Sequence, residues 1–272
     1  MKKLAQSTRN LVLFLFSIVL IFNSCDRGKF NVFSVDDDIQ LGQEVHQEIL
    51  NDPDNYPILS KQEHSQLYGH LERIRDVILE SEDVKYKDRF EWEVYIIHRD
   101  DMINAFAIPG GRTYYFTGLL RFIEDEASLA GVMAHEIAHV DWRHSTARLS
   151  KMYSYQTLLS IILGDNPSLA AEIAANLALG LTALAYSRQD EYEADEYSLR
   201  YLGPAEHDPR GVAYFFESFD LNDPPSTVET YLSTHPYAGD RITEIYRLFN
   251  ELGYGEGNVF ADRYQEIKDL LP

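Results

Sequence analysis

The stretch ASLAGVMAHEIAHV, Ala127 to Val140, decides how this chain is read, and within it the five residues HEIAH, His135 to His139. On a helix, positions four apart lie one above the other on the same face. His135 and His139 then point two imidazoles at one metal ion, each at about 2.0–2.1 Å, which is a natural zinc arrangement. Glu136 follows the first histidine and lies beside the metal without competing as a ligand. From there it can take a proton from a water that the metal acidifies. Asp125 and Glu126 stand where a helix N-terminus favours negative charge, so a helix starts just before the stretch. An exposed charged patch is the bland alternative, but the spacers Ala134, Ile137 and Ala138 read as core.

A catalytic zinc takes a third protein ligand and keeps one position open. The helical run SRQDEYEADEYSLRYL, from Ser187, places Glu191 and Asp195 four apart and again on one face. One of them can ligate while the other orients a ligating imidazole through its second nitrogen. Glu193 points elsewhere by period and reads as a bystander. Taken alone the acidic run is a solvated helix face; beside HEIAH it is the source of the third ligand. A purely structural zinc has little use for a base such as Glu136 beside it.

Working outward, helices are expected around Ile39 to Leu50 and over Lys61 to Glu80, where Leu67, Leu71, Ile74 and Ile78 keep a helical period. The period then changes. EWEVYIIH, Glu91 to His98, alternates Trp92, Val94 and Ile96 against Glu91, Glu93 and Tyr95 and reads as a strand. NAFA (Asn104 to Ala107) and TYYFT (Thr113 to Thr117) flank Pro109 to Gly111, a hairpin turn. Beyond Gly118 the pattern is helical, with stretches at Ala147 to Leu163 and Leu169 to Tyr186 and shorter ones at Pro209 to Phe219, Asp240 to Leu252 and Ala261 to Leu271. Leu169 to Tyr186 is apolar, but Glu172 and Asn176 interrupt it, and it reads as a buried core helix rather than a membrane span. Without repeats or low-complexity linkers, the expectation is an α+β, mainly α chain with a small sheet and a single domain over residues 39–272. Of the other histidines, His144 beside Arg143 reads as surface, and His46, His64, His70, His98 and His207 show no metal spacing. Tyr114 and Tyr115 are candidates to line a substrate groove.

The 272 residues carry 24 Lys+Arg against 44 Asp+Glu, a net charge of −20. Phosphate backbones repel such a chain, so nucleic acid is excluded as an expected partner. The single cysteine forbids an intramolecular disulfide and a multi-cysteine zinc knuckle. It follows Lys2, Lys3 and Arg9 and the uncharged run LVLFLFSIVLIF, Leu11 to Phe22, which is too short to span a bilayer and fits the core of a secretory signal. FNSC, ending at Cys25, resembles a bacterial lipoprotein signal, although Phe22 and Asn23 are not strict lipobox residues. The resemblance implies a signal peptide over residues 1–24, lipidation at Cys25 and a tether over 25–38 that includes the acidic Asp36 to Asp38. The mature chain is then expected to lack a transmembrane helix and to be lipid-anchored in the bacterial envelope, facing the periplasm.

HEIAH followed by Glu191 and Asp195 resembles the gluzincin metallopeptidases, more narrowly family forty-eight. INAFAIPGGRTYYFTGLL (Ile103 to Leu120), SRQDEYEAD and THPYAGDRI (from Thr234) resemble that family's other segments in the right order, over Ile103 to Ile242. The resemblance implies a zincin-like fold with one Zn2+ held by His135, His139 and Glu191. Glu136 would be the general base and Asp195 the partner of His135. Asn104, Ala105, Phe106 and Ala107 would form an edge strand that pairs with an extended polypeptide substrate. His235, helped by Arg241, would stabilise the oxyanion, or alternatively would approach the zinc and silence it. The relatives with many membrane spans cut membrane proteins or prenylated peptides, and CAAX processing is not expected of this chain. The leading expectation is therefore a zinc metalloendopeptidase acting on unfolded or misfolded envelope proteins. The alternative is a zinc-stabilised, chaperone-like module that binds such proteins without cutting them, motivated by the edge strand.

Overall fold

The computed structural model describes residues 25–26, 29–162, 164, 167–180, 185–221 and 223–272. The signal-peptide reading of residues 1–24 lies outside them. The backbone of β1 (Cys25–Asp26) pairs antiparallel with β2 (Lys29–Phe30). Ser34 then caps α1 (Val35–Leu50) in a reciprocal capping box with Asp37. The acidic residues Asp36 to Asp38, expected in a tether, are the first turn of this helix, where the helix dipole favours them. Asp38 is buried and paired with Arg143, Oδ2 to Nε at 2.5 Å.

The amphipathic helix expected over Lys61 to Glu80 is α2 (Ser65–Leu79), with Leu67, Leu71, Ile74 and Ile78 buried. The three-stranded sheet follows: β3 (Glu93–Ile97), β4 (Ala105–Ala107) and β5 (Arg112–Phe116). β5 lies in the middle, parallel to β3 and antiparallel to β4, with Phe106 opposite Tyr114. The β4–β5 hairpin turns through Gly110 and Gly111, at φ 84° and 112°, where glycine carries no steric penalty. Strand alternation splits the core in two. Val94, Ile96, Ala105, Ala107 and Tyr115 join the cluster beneath the HEIAH helix, while Ile97, Phe106, Tyr114 and Phe116 join the one against α1. Tyr114 and Tyr115 are thus core residues rather than groove lining. Tyr114 stacks on Phe106 and its hydroxyl bonds His46 Nδ1 at 2.7 Å.

After the short α3 (Thr117–Phe122), Asp125 caps α4 (Glu126–Asp141) through Ser128 N, and every residue of α4 is buried. Helix α4 lies among α2, β4, α8 (Arg188–Leu202) and α9 (Gly211–Glu217). Its approach to α9 is backbone to backbone, since a Cβ at Gly131 would stand 2.1 Å from Val212 N. The single helix expected over Ala147 to Leu163 is two, α5 (His144–Met152) and α6 (Tyr155–Ile162). Tyr153 takes extended backbone there, and Ser154 Oγ accepts from Thr157 N, a competing start signal.

The apolar stretch after Leu169 forms α7 (Pro167–Gly180), which buries Ile173, Ala174, Leu177 and Ala178. It packs on α1. Among the described residues no helix is long and apolar enough to cross a membrane. The chain closes with α10 (Glu229–Thr234), α11 (Ala238–Leu252) and α12 (Ala261–Asp269). The mainly helical fold with a small mixed sheet is the one the sequence predicts.

Candidate metal centre

Helices α4 and α8 bring the expected residues together. His135 Nε2 and His139 Nε2, one turn apart, stand 3.0 Å from each other. Glu191, in the first turn of α8, lies across from both at 3.5 Å. His235 comes from the residue just past α10, and its Nδ1 is 3.3 Å from His135 Nε2 and 3.3 Å from Glu191 Oε1. All four residues are buried and offer donor atoms within 4.8 Å of one another. Glu136 faces this group, its Oε1 3.4 Å from His235 Nε2.

The arrangement fits a metal ion on its own chemistry. His135 Nδ1 is engaged by Asp195 Oδ1 at 2.9 Å, and His139 Nδ1 by His144 Nδ1 at 2.7 Å. The Asp195 contact leaves His135 Nε2 to face a carboxylate, and His139 Nε2 stands at the same point. That carboxylate, Glu191, is buried; its Oε2 is ion-paired with Arg241 Nη1, and its Oε1 accepts no hydrogen bond. Two imidazole nitrogens and a carboxylate oxygen converging in this way are a zinc-type donor set.

Electrostatics hold two of these groups, His139 and Glu191, in the form that ligates. Burial pushes His139 well below the usual histidine range, so its imidazole is neutral. Burial alone would raise Glu191, but the Arg241 guanidinium against it keeps it well below the usual carboxylate range. Arg241 is itself fully buried and donates from Nε and Nη2 to Asp195, each at 2.7 Å. A buried guanidinium needs such partners. Arg241 thus reaches the centre through Asp195 and Glu191, and through Nη2 at 3.4 Å from His135. Burial also lifts Glu136 to about 7, the range of a group that exchanges protons near neutral pH.

A cavity of about 20 Å³, with room for about one water molecule, opens beside Glu136. Phe106 and Ala107 of β4, with Ile108, line one side of it, and Tyr186, Thr234 and His235 another. β4 is an outer strand of the sheet and packs along α4. Asn104 precedes it, buried, with neither side-chain nitrogen nor oxygen hydrogen-bonded. The four residues expected to meet substrate, Asn104 to Ala107, are therefore at a sheet edge next to the centre, and all are buried.

Sequence reasoning missed three neighbours. His144, read as surface, is buried, and Glu193, read as a bystander, accepts from its Nε2 at 2.9 Å. Helical period assumes that α4 continues, whereas Arg143 takes a left-handed conformation (φ 57°) and folds the next turn back under His139. No glycine or proline marks that break. Tyr186 stacks on His139 with centroids 3.9 Å apart. Of the other histidines, His46 is buried and bonds Tyr114 through Nδ1, His207 is buried with Nε2 bonded to Glu126 and Nδ1 unbonded, and His98 is exposed.

The model of peptidase family M48 matches residues 65–248, well over half of the chain. The mitochondrial metalloendopeptidase OMA1 of Schizosaccharomyces pombe is 28% identical over 221 residues, covering 81% of this chain and 63% of that protein. A putative beta-barrel assembly-enhancing protease of Vibrio cholerae is 31% identical over 210 residues, 73% of this chain and 40% of its own length. The beta-barrel assembly-enhancing protease of Escherichia coli is 27% identical over 168 residues, 58% of this chain and 34% of its own. The chain spans between about a third and two thirds of the length of these relatives. It belongs to peptidase family M48.

Proposed function

From membership of that family, we propose that the chain is a zinc-dependent metalloendopeptidase that cuts unfolded or misfolded polypeptides of the bacterial envelope. The observation that carries this reading is the convergence of His135, His139 and Glu191 on one point with Glu136 beside it. A zinc ion held by those three residues supplies Lewis acidity toward the peptide carbonyl and toward water. Asp195 fixes the ring of His135, and Arg241 fixes Asp195 and Glu191. Glu136 takes a proton from the attacking water as its oxygen bonds to the carbonyl carbon. It then passes the proton to the amide nitrogen as the C–N bond breaks. Its pKa of about 7 suits both halves of that transfer.

The outer position of β4 supports Asn104 to Ala107 as the strand that pairs with substrate backbone, a mode that asks little of side chains. His235 Nδ1 stands among the metal donors, which supports a latch that occupies the fourth position. As an oxyanion donor, His235 would turn toward the substrate instead. Names of relatives that include a beta-barrel assembly-enhancing protease support an envelope role. We assign residues 1–24 to a signal peptide, Cys25 to a lipid anchor facing the periplasm, residues 25–34 to the tether, and residues 35–272 to one peptidase domain that begins with α1. Fatty-acid labelling that persists in Cys25→Ser removes the anchor.

The test of the activity is cleavage of an unfolded casein by the purified full chain loaded with zinc, with Glu136→Gln and His235→Ala beside it. Cleavage by wild type that is lost in Glu136→Gln supports the peptidase. Cleavage appearing only in His235→Ala supports the latch. A Glu136→Gln variant as active as wild type contradicts the mechanism.

A further inference from the structure

The two histidines of HEIAH are held by different means. His135 rests directly on a carboxylate, through Nδ1 and Asp195. His139 rests on another imidazole: its Nδ1 is 2.7 Å from Nδ1 of His144. Two nitrogens this close share one proton, so one ring donates and the other accepts. If His139 binds metal through Nε2, that atom carries a lone pair, and a neutral His139 keeps its proton on Nδ1. His139 is then the donor and His144 the acceptor. A neutral His144 must in turn carry its proton on Nε2, which faces Glu193 Oε2 at 2.9 Å. One assignment of protons satisfies all three groups, and it ends on a carboxylate.

The local fold builds this contact. Arg143, in its left-handed conformation, ends α4 and swings His144 beneath His139. Tyr186 covers the face of His139, and its hydroxyl is bonded to Ser145 Oγ at 3.0 Å. Asp190 also approaches His144 Nε2, at 4.0 Å, but its carboxylate is engaged in the capping box with Ser187. A second metal at His144, Asp190 and Glu193 would compete with both sets of bonds.

We propose that His144 is a positioning residue for His139: it accepts the Nδ1 proton, and Glu193 fixes the tautomer of His144, so that His139 presents Nε2 to the metal. The assignment rests on the reading of His139 as a ligand. Partners of this kind typically change metal affinity by about 10–100-fold when removed.

Asparagine at 144 places its Oδ1 where His144 Nδ1 stands, whereas leucine has the same shape and no acceptor. Zinc affinity, measured by competition with a chromophoric chelator, is therefore expected to fall about 10–100-fold in His144→Leu and to stay within about threefold of wild type in His144→Asn. Glu193→Ala, at a partly exposed site that tolerates truncation, is expected to lose affinity by about three- to tenfold, less than His144→Leu. Thermal melts identify a variant that fails to fold. Should His144→Leu be one, a tenfold loss in folded His144→Asn, or unchanged affinity in Glu193→Ala, overturns the proposal. Equal affinities for the leucine and asparagine variants also overturn it and leave a packing role. A wild-type chain that binds no zinc overturns the metal centre itself, and the role of His144 with it.

Discussion

Helix α4 buries a glutamate near each end, and the two are treated in opposite ways. At the start, Glu126 receives Arg73 at 3.0 and 2.5 Å, His207 at 2.7 Å, and Arg263. Burial alone would raise its pKa, but the bonds from His207 and Arg73 override it and hold the carboxyl down at about 2. Ten residues on, Glu136 is equally buried, its Oε1 accepts no hydrogen bond, and burial lifts it to about 7. A buried acid surrounded by donors is a clamp: it ties α4 to α2 and α12 and stays ionised. A buried acid with one oxygen unbonded, and His235 near it at 3.4 Å, is poised to pick up and release a proton. The same helix thus supplies both the rigidity of the centre and its reactivity.

The largest effect that would break this contrast is on activity. Glu136→Gln should reduce peptide cleavage by about 10²–10⁴-fold while zinc content stays at the wild-type level. A similar loss from Glu126→Gln in folded protein, at equal zinc content, would erase the distinction between the two ends.

Stability should respond the other way round. Glu126→Ala strands two partly exposed arginines and a buried histidine, and should cost about 2–4 kcal/mol in urea unfolding. The sign with pH follows from the depressed pKa. The contribution of Glu126 is present above its ordinary 4.5 and is lost as pH falls toward about 2. Wild type should therefore lose stability between those values more steeply than Glu126→Gln.

The metal-free protein sharpens the contrast further. Glu136 has its folded pKa raised from 4.5 to about 7, so folded protein holds a proton that the unfolded chain has released. Raising pH through that window favours unfolding, and the cost is complete above about 7. Metal-free Glu136→Gln should accordingly be more stable than metal-free wild type at pH 8, by about 1–3 kcal/mol, and equal to it at pH 4. A loss of stability at pH 8 would contradict the account of Glu136 as a strained group. Zinc at about a thousandfold over its dissociation constant should add about 4 kcal/mol to wild type, which chelation removes.

What the sequence made legible follows the reach of local periodicity. His135, Glu136 and His139 lie on one helix, and Glu191 and Asp195 on another, so spacing alone put each set on a face. The strand over Glu91 to His98 and the hairpin at Pro109 to Gly111 were marked by alternation and by glycine. Periodicity fails where the chain turns without a glycine or proline. Arg143 and Tyr153 end helices through their own backbone conformations, and the first of these hid His144. Tertiary pairing is equally silent in one dimension. Asp38, expected in an acidic tether, is buried against Arg143, 105 residues away. Arg241 likewise belongs to the centre only through contacts with Asp195 and Glu191 that no local pattern encodes.

The most direct measurement is anomalous diffraction across the zinc absorption edge from crystals of the zinc-loaded chain. The account predicts a single strong peak about 2.0–2.2 Å from His135 Nε2, His139 Nε2 and a Glu191 oxygen. No peak there, or a peak among His144, Asp190 and Glu193 instead, would contradict it.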